Sequence, residues 1–286
     1  MGLIRKISAT FDMIKVQHSI FALPWAFVAA FYAANGVPPW EKALWILVAM
    51  VAARSAAMAF NRVADAKLDA ENPRTRSRAI PAGLLSVAFT AGFAALMAAL
   101  LVLAAWRLNP LCLKLSPVAL AVTMGYSYTK RFTALCHWFL GLSLAIAPVG
   151  AWLAIRPEWH PLPLLLGAGV MFWIAGADIL YACEDLEFDR RKGLRSIPAA
   201  LGLRAAMIVS ALCHAVTLGA LVAVGLTARL GAFYYAAVAA IALLLAYEHA
   251  IVKPTDLRRV NRAFFHVNAV VGGVMLLGGL LDVFLR

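Results

Sequence analysis

The chain has 286 residues, is 64% hydrophobic and only 14% charged, and carries a formal net charge of +12. Its mean hydropathy of +0.83 is too high for an ordinary soluble domain. The positive charge does not point to nucleic acid, because the basic residues are spread over alternate loops rather than gathered in one patch.

Nine apolar runs follow one another, at about 18–34, 41–62, 84–106, 110–128, 136–154, 163–183, 205–226, 230–250 and 264–285. Crossing a bilayer as helix takes about 20 residues, and most of these runs meet that length. They lack the polar faces of a soluble bundle and the alternating polar residues of a barrel. The expected fold is therefore all-α: a polytopic membrane protein of nine transmembrane helices in a single bundle, one domain over residues 1–286. The first run lacks a small-residue cleavage site, so no cleavable signal peptide is expected. Pro24 in run one and Pro148 in run five are candidate kinks.

Run two ends in Asn61-x3-Asp65-x3-Asp69, and the loop after it reads Arg74-Thr75-Arg76-Ser77-Arg78-Ala79-Ile80-Pro81-Ala82. Run four ends near Tyr128-Thr129-Lys130-Arg131. Run six holds Asp178 and leads into Asp185-x3-Asp189, then Arg190-Arg191-Lys192-Gly193-Leu194-Arg195-Ser196-Ile197-Pro198-Ala199. The pattern of acids, basic stretch and Ile-Pro-Ala recurs 120 residues on, from Asp65 to Asp185, like a duplicated helix-end-plus-loop unit. Pro81 and Pro198 would each stand near the start of the following helix. Gly272-Gly273 and Gly278-Gly279 in run nine suit close helix packing. Cys112, Cys136, Cys183 and Cys213 show no paired spacing, and the six histidines form no metal motif.

Most of the 26 basic residues lie in the N-terminal segment and the loops after runs two, four, six and eight. The opposite ends hold only Lys42, Arg107, Lys114, Arg156, Arg229 and Arg286. By the positive-inside rule the N-terminus is cytoplasmic, the C-terminus is outside, and both acidic clusters lie on the cytoplasmic side.

Residues four apart on a helix share a face. On a soluble helix paired acids mean a solvated face, but in a membrane helix they are costly and mark function. Asn and Asp supply the hard oxygens that suit Mg²⁺, which binds through one or two carboxylates plus substrate phosphates. Two clusters on one side thus suggest two Mg²⁺ ions on one diphosphate, held by Asn61, Asp65, Asp69, Asp185 and Asp189. Four carboxylates and two such ions sum to zero charge. A diphosphate ester adds about −3, which neighbouring cations would offset. Arg74, Arg78, Lys130 and Arg131 are the candidates nearest helix ends. Asp178 stands seven residues before Asp185 on the same helix face, roughly 10 Å deeper, near a reacting carbon or an acceptor.

These motifs resemble the UbiA family of intramembrane prenyltransferases. Its first motif, N-x-x-x-D-x-x-x-D followed by R-x-x-P, is matched by Asn61, Asp65, Asp69, Arg78 and Pro81; its second, D-x-x-Y-A-x-x-D-x-x-x-D, by Asp178, Tyr181, Ala182, Asp185 and Asp189. Tyr128, Lys130 and Arg131 are similar to a third, intervening segment. The resemblance implies an aromatic prenyltransferase of respiratory quinone biosynthesis. Two Mg²⁺ would bind an allylic polyprenyl diphosphate, and the ring of an aromatic acid would capture the carbocation. Asp65, Asp69, Asp178, Asp185 and Asp189 would be catalytic, and Arg62, Arg74, Arg78, Tyr128, Lys130 and Arg131 would bind substrate. The 4-hydroxybenzoate polyprenyltransferase branch is the nearest in pattern. His18–Pro24 and Glu187–Pro198 also resemble a menaquinone-route member whose acceptor would be a dihydroxynaphthoate. Many relatives carry Asp where this chain has Arg62, which is read here as a phosphate contact. Lys15 approximates an Arg that binds the acceptor carboxylate in some relatives. Membrane lipid is the expected surrounding, with no nucleic acid and no obligate protein partner. A membrane transporter with an acid-lined ion site is the alternative.

Overall fold

The structure is a computed structural model describing residues 3–14 and 21–285. In chain order the first helices are α1 (Leu3–Ile14), α2 (Leu23–Ala34), α3 (Trp40–Ala64), α4 (Ala66–Glu71), α5 (Val87–Leu108), α6 (Pro110–Thr129) and α7 (Cys136–Ile155). There follow α8 (Pro161–Ala182), a 3-10 turn (Cys183–Asp185), α9 (Leu186–Lys192), α10 (Ile197–Leu201), α11 (Leu203–Thr227) and α12 (Ala232–Ile251). The short α13 (Val260–Arg262), a π-helical turn (Ala263–Val267) and α14 (Asn268–Leu285) complete the bundle. No strand occurs among the described residues; one isolated bridge pairs Lys253 with Asp256. Lys15, His18, Ser19 and Ile20 lie outside the described residues, as does Arg286.

Seven helical segments are long and apolar enough to cross a membrane: Trp40–Ala64, Val87–Leu108, Cys136–Ile155, Pro161–Lys192, Leu203–Thr227, Ala232–Ile251 and Val260–Leu285. The other two apolar runs are also helical, but weaker. Helix α2 has 12 described residues. Helix α6 is diluted by Lys114, Pro117 and the polar stretch Tyr126–Thr129.

Local polar residues set the helix ends. Ser86 Oγ accepts from Phe89 N at 3.1 Å and starts α5. Asn109 closes α5 in extended backbone and opens α6, its Oδ1 accepting from Cys112 N at 2.9 Å while Pro110 needs no N–H partner. Lys42 Nζ donates to Leu108 O and Ala154 O, each at 2.8 Å, so one ammonium meets the terminal carbonyls of α5 and α7. Pro24 and Pro198 fall in the first turns of α2 and α10, where they bend nothing, and Pro148 lies inside α7. Pro81 instead sits in a turn ahead of α5.

The packing suits lipid rather than water. Leu96, Leu103, Leu212, Leu243 and Leu277 are exposed on the outside. Inside, Trp25 of α2 meets Trp173 of α8 at 5.3 Å between ring centroids, and Leu221, Tyr234, Ile241, Leu245 and Met275 are fully buried. Small residues let backbones touch. A Cβ on Gly141 would stand 2.1 Å from Met171 O, so α7 and α8 lie against each other there; one on Gly278 would stand 2.3 Å from Ala237 Cβ. Gly141→Val therefore has to part α7 from α8. We expect it to cost about 2 kcal/mol or more and to lower the unfolding temperature in detergent, whereas Gly92→Ala on open α5 surface leaves it unchanged.

Candidate active site

Both acidic clusters sit on the same backbone irregularity. Asp65 joins α3 to α4 with φ −98°, ψ 8°, and Asp185 joins the 3-10 turn to α9 with φ −98°, ψ 4°. This bridge region is sparsely populated and recurs at active sites. Helical bonding still passes through the first bend, with Asp65 N donating to Asn61 O at 2.9 Å and Asp69 N to Asp65 O at 2.8 Å. The acids therefore keep a common face, and the sequence duplication reaches down to matching dihedral angles.

Each carboxylate faces its own cation. Arg131 Nη2 donates to Asp65 Oδ1 at 2.8 Å, and Arg78 Nη1 to Asp69 Oδ1 at 2.7 Å. Arg74 forks onto Asp185 through Nε, at 2.9 Å, and Nη2. Lys130 Nζ lies 3.0 Å from Asp189 Oδ1. Amides and a hydroxyl complete the set. Asn61 Nδ2 donates to Asp65 Oδ2 at 2.9 Å, Asn72 Nδ2 to Asp185 Oδ1 at 3.0 Å, and Ser196 Oγ to Asp189 Oδ2 at 2.9 Å. Arg62 Nη1 donates to Asn61 Oδ1 at 3.1 Å and lies 3.8 Å from Asp69 Oδ2. Asn72 and Arg74, from the loop after the first cluster, thus bind the second cluster directly.

The charges are held against burial. Burial pushes the Asp65 carboxyl above the usual carboxylate range, and Asp69 adds to this, although Arg131 and Lys130 pull the other way. Burial also disfavours the Lys130 ammonium, but Asp189, and then Asp185 and Asp65, hold its pKa above the ordinary value. One ammonium therefore feels carboxylates of both clusters. Arg74 is likewise held up by Asp185 against burial.

Two cavities meet at this place. The polar one, of about 760 Å³, is lined by Asn61, Arg62, Asp65, Asp69, Arg74, Arg78, Lys130, Asp178, Asp185 and Asp189, with α1 contributing Asp12 and α14's approach contributing Phe264 and Phe265. The other, of about 590 Å³, is walled almost entirely by apolar side chains of α3, α5, α6, α7 and α8. Arg54, Met58, Tyr126, Leu140 and Leu144 belong to both walls. Val118 and Leu142, exposed on the outside of the bundle, also line the apolar chamber, which therefore reaches the lipid-facing surface.

Residues 22–270 match the model of the UbiA prenyltransferase family. The chain belongs to the UbiA prenyltransferase family. It is 35% identical over 253 residues to a 4-hydroxybenzoate octaprenyltransferase of Thiobacillus denitrificans, covering 87% of this chain and 86% of that one. The apo structure of a UbiA homolog from Aeropyrum pernix K1 superposes with a TM-score of 0.85 at 32% identity, covering 93% of this chain and 98% of the other. A UbiA homolog from Archaeoglobus fulgidus bound to GPP and Mg²⁺ shares the fold, with a TM-score of 0.74 at 17% identity, covering 96% and 99%.

In this UbiA chain the donor set fits a hard divalent cation. Asp69 Oδ2 is buried and accepts no hydrogen bond, its nearest cation being Arg62 Nη1 at 3.8 Å, so it has lone pairs to spare, whereas Asp189 Oδ1 faces Lys130 Nζ at 3.0 Å. Among the described residues no three of His, Cys, Asp or Glu converge on one point. Each cluster offers two carboxylates and leaves the remaining positions to water or phosphate, the habit of Mg²⁺.

Two expected contacts stand elsewhere. Tyr128 is outside the wall, exposed, with Arg131 over its ring at 4.7 Å and Phe60 at its edge. Two residues along a helix turn about 200°, so Tyr126 takes the inward position instead. Arg131 is likewise not in the wall, although its guanidinium reaches Asp65. Residues not singled out from sequence are Arg54, Asn72, His137 and Ser196. For Arg54 a signal existed: an arginine inside an apolar run, seven residues before Asn61.

Removing Lys130 would leave Asp189, which is fully buried, without its cation. We expect Lys130→Ala to cost about 3 kcal/mol and to lower the unfolding temperature in detergent. Lys130→Ala combined with Asp189→Asn recovers most of that loss, and the double-mutant comparison measures it.

Proposed function

We propose that this single-domain enzyme transfers a polyprenyl group from its diphosphate to the ring of a hydroxylated aromatic acid of the 4-hydroxybenzoate class, in respiratory quinone biosynthesis. One observation carries the reading. Two acidic clusters and their cations line one polar cavity that opens, through Arg54 and Tyr126, into an apolar chamber. An amphiphile with an anionic head and a hydrocarbon tail suits such a pair of spaces. The name of the relative from Thiobacillus denitrificans supports the acceptor class.

Arg74, Arg78 and Lys130 supply positive charge where the diphosphate oxygens would lie, and Arg131, outside the wall, adds its charge through Asp65. They stabilise the negative charge that grows on the leaving group as the allylic C–O bond breaks. Asn61, Asp65, Asp69, Asp185 and Asp189 would hold two Mg²⁺ ions, which when bound supply Lewis-acid stabilisation of the same leaving group. Arg62 adds a further phosphate contact. The apolar walls keep water from the allylic cation. The electron-rich ring carbon then bonds to the allylic carbon, and the ring loses a proton.

In this reading Arg54 is the partner of the acceptor carboxylate. Its Nε is buried without a hydrogen-bond partner, and no carboxylate pairs with it among the described residues. A free guanidinium at the junction of the two cavities suits an aromatic carboxylate. Lys15, the position matched by resemblance, lies outside the described residues.

In the same reading all nine apolar runs cross the membrane, α2 and α6 included. The N-terminus is cytoplasmic and the site opens on the cytoplasmic side. Thiol labelling of single cysteines placed at Arg76 and Arg229 would check that orientation.

Purified protein with Mg²⁺, geranyl diphosphate and a panel containing 4-hydroxybenzoate and a dihydroxynaphthoate, followed by mass spectrometry, tests the activity. We expect a prenylated acid that disappears with EDTA and returns with Mg²⁺. Asp65→Ala and Asp185→Ala should each lower the rate by at least ~100-fold while eluting as folded protein. Full activity of either variant removes that cluster from the mechanism. Substrate flux in liposomes without product would point to the transporter reading. Arg54→Gln should raise the acceptor KM about tenfold or more and leave the KM of the diphosphate within about twofold; equal effects on both would place Arg54 elsewhere.

A further inference from the structure

Asp178 does not stand alone in the cavity wall. His137, at the start of α7 and 2% exposed, has its Nδ1 2.7 Å from Asp178 Oδ2. Its Nε2 accepts from the backbone N–H of Ile197 at 3.2 Å. A backbone N–H can only donate, so Nε2 must carry the lone pair, and the ring proton sits on Nδ1, pointing at Asp178. The imidazole is thereby held by both nitrogens. Asp178 Oδ1 has no protein partner among the described residues, and the side chain is 23% exposed, toward the cavity it lines.

The far end of this chain is the second basic loop. Arg195 N donates to Lys130 O at 2.7 Å, Arg195 Nη1 to Phe132 O at 2.8 Å, and Cys136 Sγ to Arg195 O at 3.4 Å. Ser196, next to Ile197, donates to Asp189. The segment that seats His137 thus also seats Lys130 and Asp189.

Resting on the transferase reading above, we propose that His137 is a positioning residue. It fixes Asp178 in one rotamer, so that Asp178 Oδ1 accepts the hydrogen bond from the ring hydroxyl of the aromatic acceptor. Arg54, Tyr126 and Asp178 line the same polar cavity, which puts groups for the two ends of that acceptor in one space. A cation for the carboxylate and an anion for the hydroxyl would then align a hydroxy acid below the diphosphate, with the carbon beside the hydroxyl facing the allylic end. Asp178 contributes only an acceptor that must be aimed; His137 aims it.

The test compares 4-hydroxybenzoate with benzoate, which lacks the hydroxyl. With full-length protein, Mg²⁺ and geranyl diphosphate, the acceptor KM is set against the inhibition constant of benzoate. A hydrogen bond to a charged group is worth about tenfold or more in such a ratio. We expect wild type to favour 4-hydroxybenzoate by that margin. His137→Ala should bring the ratio near one while the KM of geranyl diphosphate stays within about twofold. His137→Asn places an amide N–H near the Nδ1 position and should restore most of the ratio; His137→Gln places it near Nε2 and should not. If His137→Ala fails to fold, the Asn and Gln pair still decides. Variants that keep the wild-type ratio, or rescue by Gln but not Asn, overturn the role of His137 while leaving the transferase intact. A wild type that prenylates no aromatic acid overturns the transferase reading and this proposal with it.

Discussion

Everything at the active end of this bundle depends on one electrostatic constraint: four carboxylates, largely withdrawn from water, must each be neutralised. Asp65, Asp69, Asp185 and Asp189 meet Arg131, Arg78, Arg74 and Lys130 one to one. Burying a lone carboxylate is prohibitive, so the cations are as much part of the fold as of the site. Because Arg74 and Asn72 come from the loop behind the first cluster and bind the second, the same pairing draws the two halves of the chain together.

The arrangement is poised for exchange of partners. In the proposed function a diphosphate and divalent ions would bring both signs of charge at once. Carboxylates would then turn from guanidinium to metal, and guanidinium from carboxylate to phosphate, so that each acid and each cation exchanges one partner for another. Asp69 Oδ2, buried without a hydrogen bond, has a lone pair open to such a partner. Pairing each acid with a cation before anything binds avoids the desolvation cost that a bare acidic nest would carry in a membrane.

Below the charges the bundle changes character within a few turns. Arg54 and Tyr126 mark the boundary, beyond which the walls are almost wholly apolar. The polar and apolar spaces therefore meet at Arg54 and Tyr126, and Asp178 and His137 line the polar side. The opposite end of the bundle has its own tie, the Lys42 ammonium on the carbonyl ends of α5 and α7, so the helices are anchored at both ends and spaced by small residues between.

By itself the sequence determined the membrane class, the helical architecture, the positions of the apolar runs and the ten acidic, amide and basic residues that share the cavity wall. Those follow from run length, from four-residue spacing and from the cost of charge in an apolar chain, all of which are local or compositional. Direction was not legible there: Tyr128 came from the motif resemblance, and only the packed orientation of α6 decides that Tyr126, two residues earlier, lines the cavity while Tyr128 is exposed. Which cation serves which acid was also decided only in three dimensions, since Arg74 crosses 111 residues to Asp185 and Arg131 crosses 66 to Asp65. His137 could not be read as functional at all from a chain of six unclustered histidines. Its meaning lies in a contact across 41 residues to Asp178, and that contact exists because α7 and α8 are pressed together along their small residues.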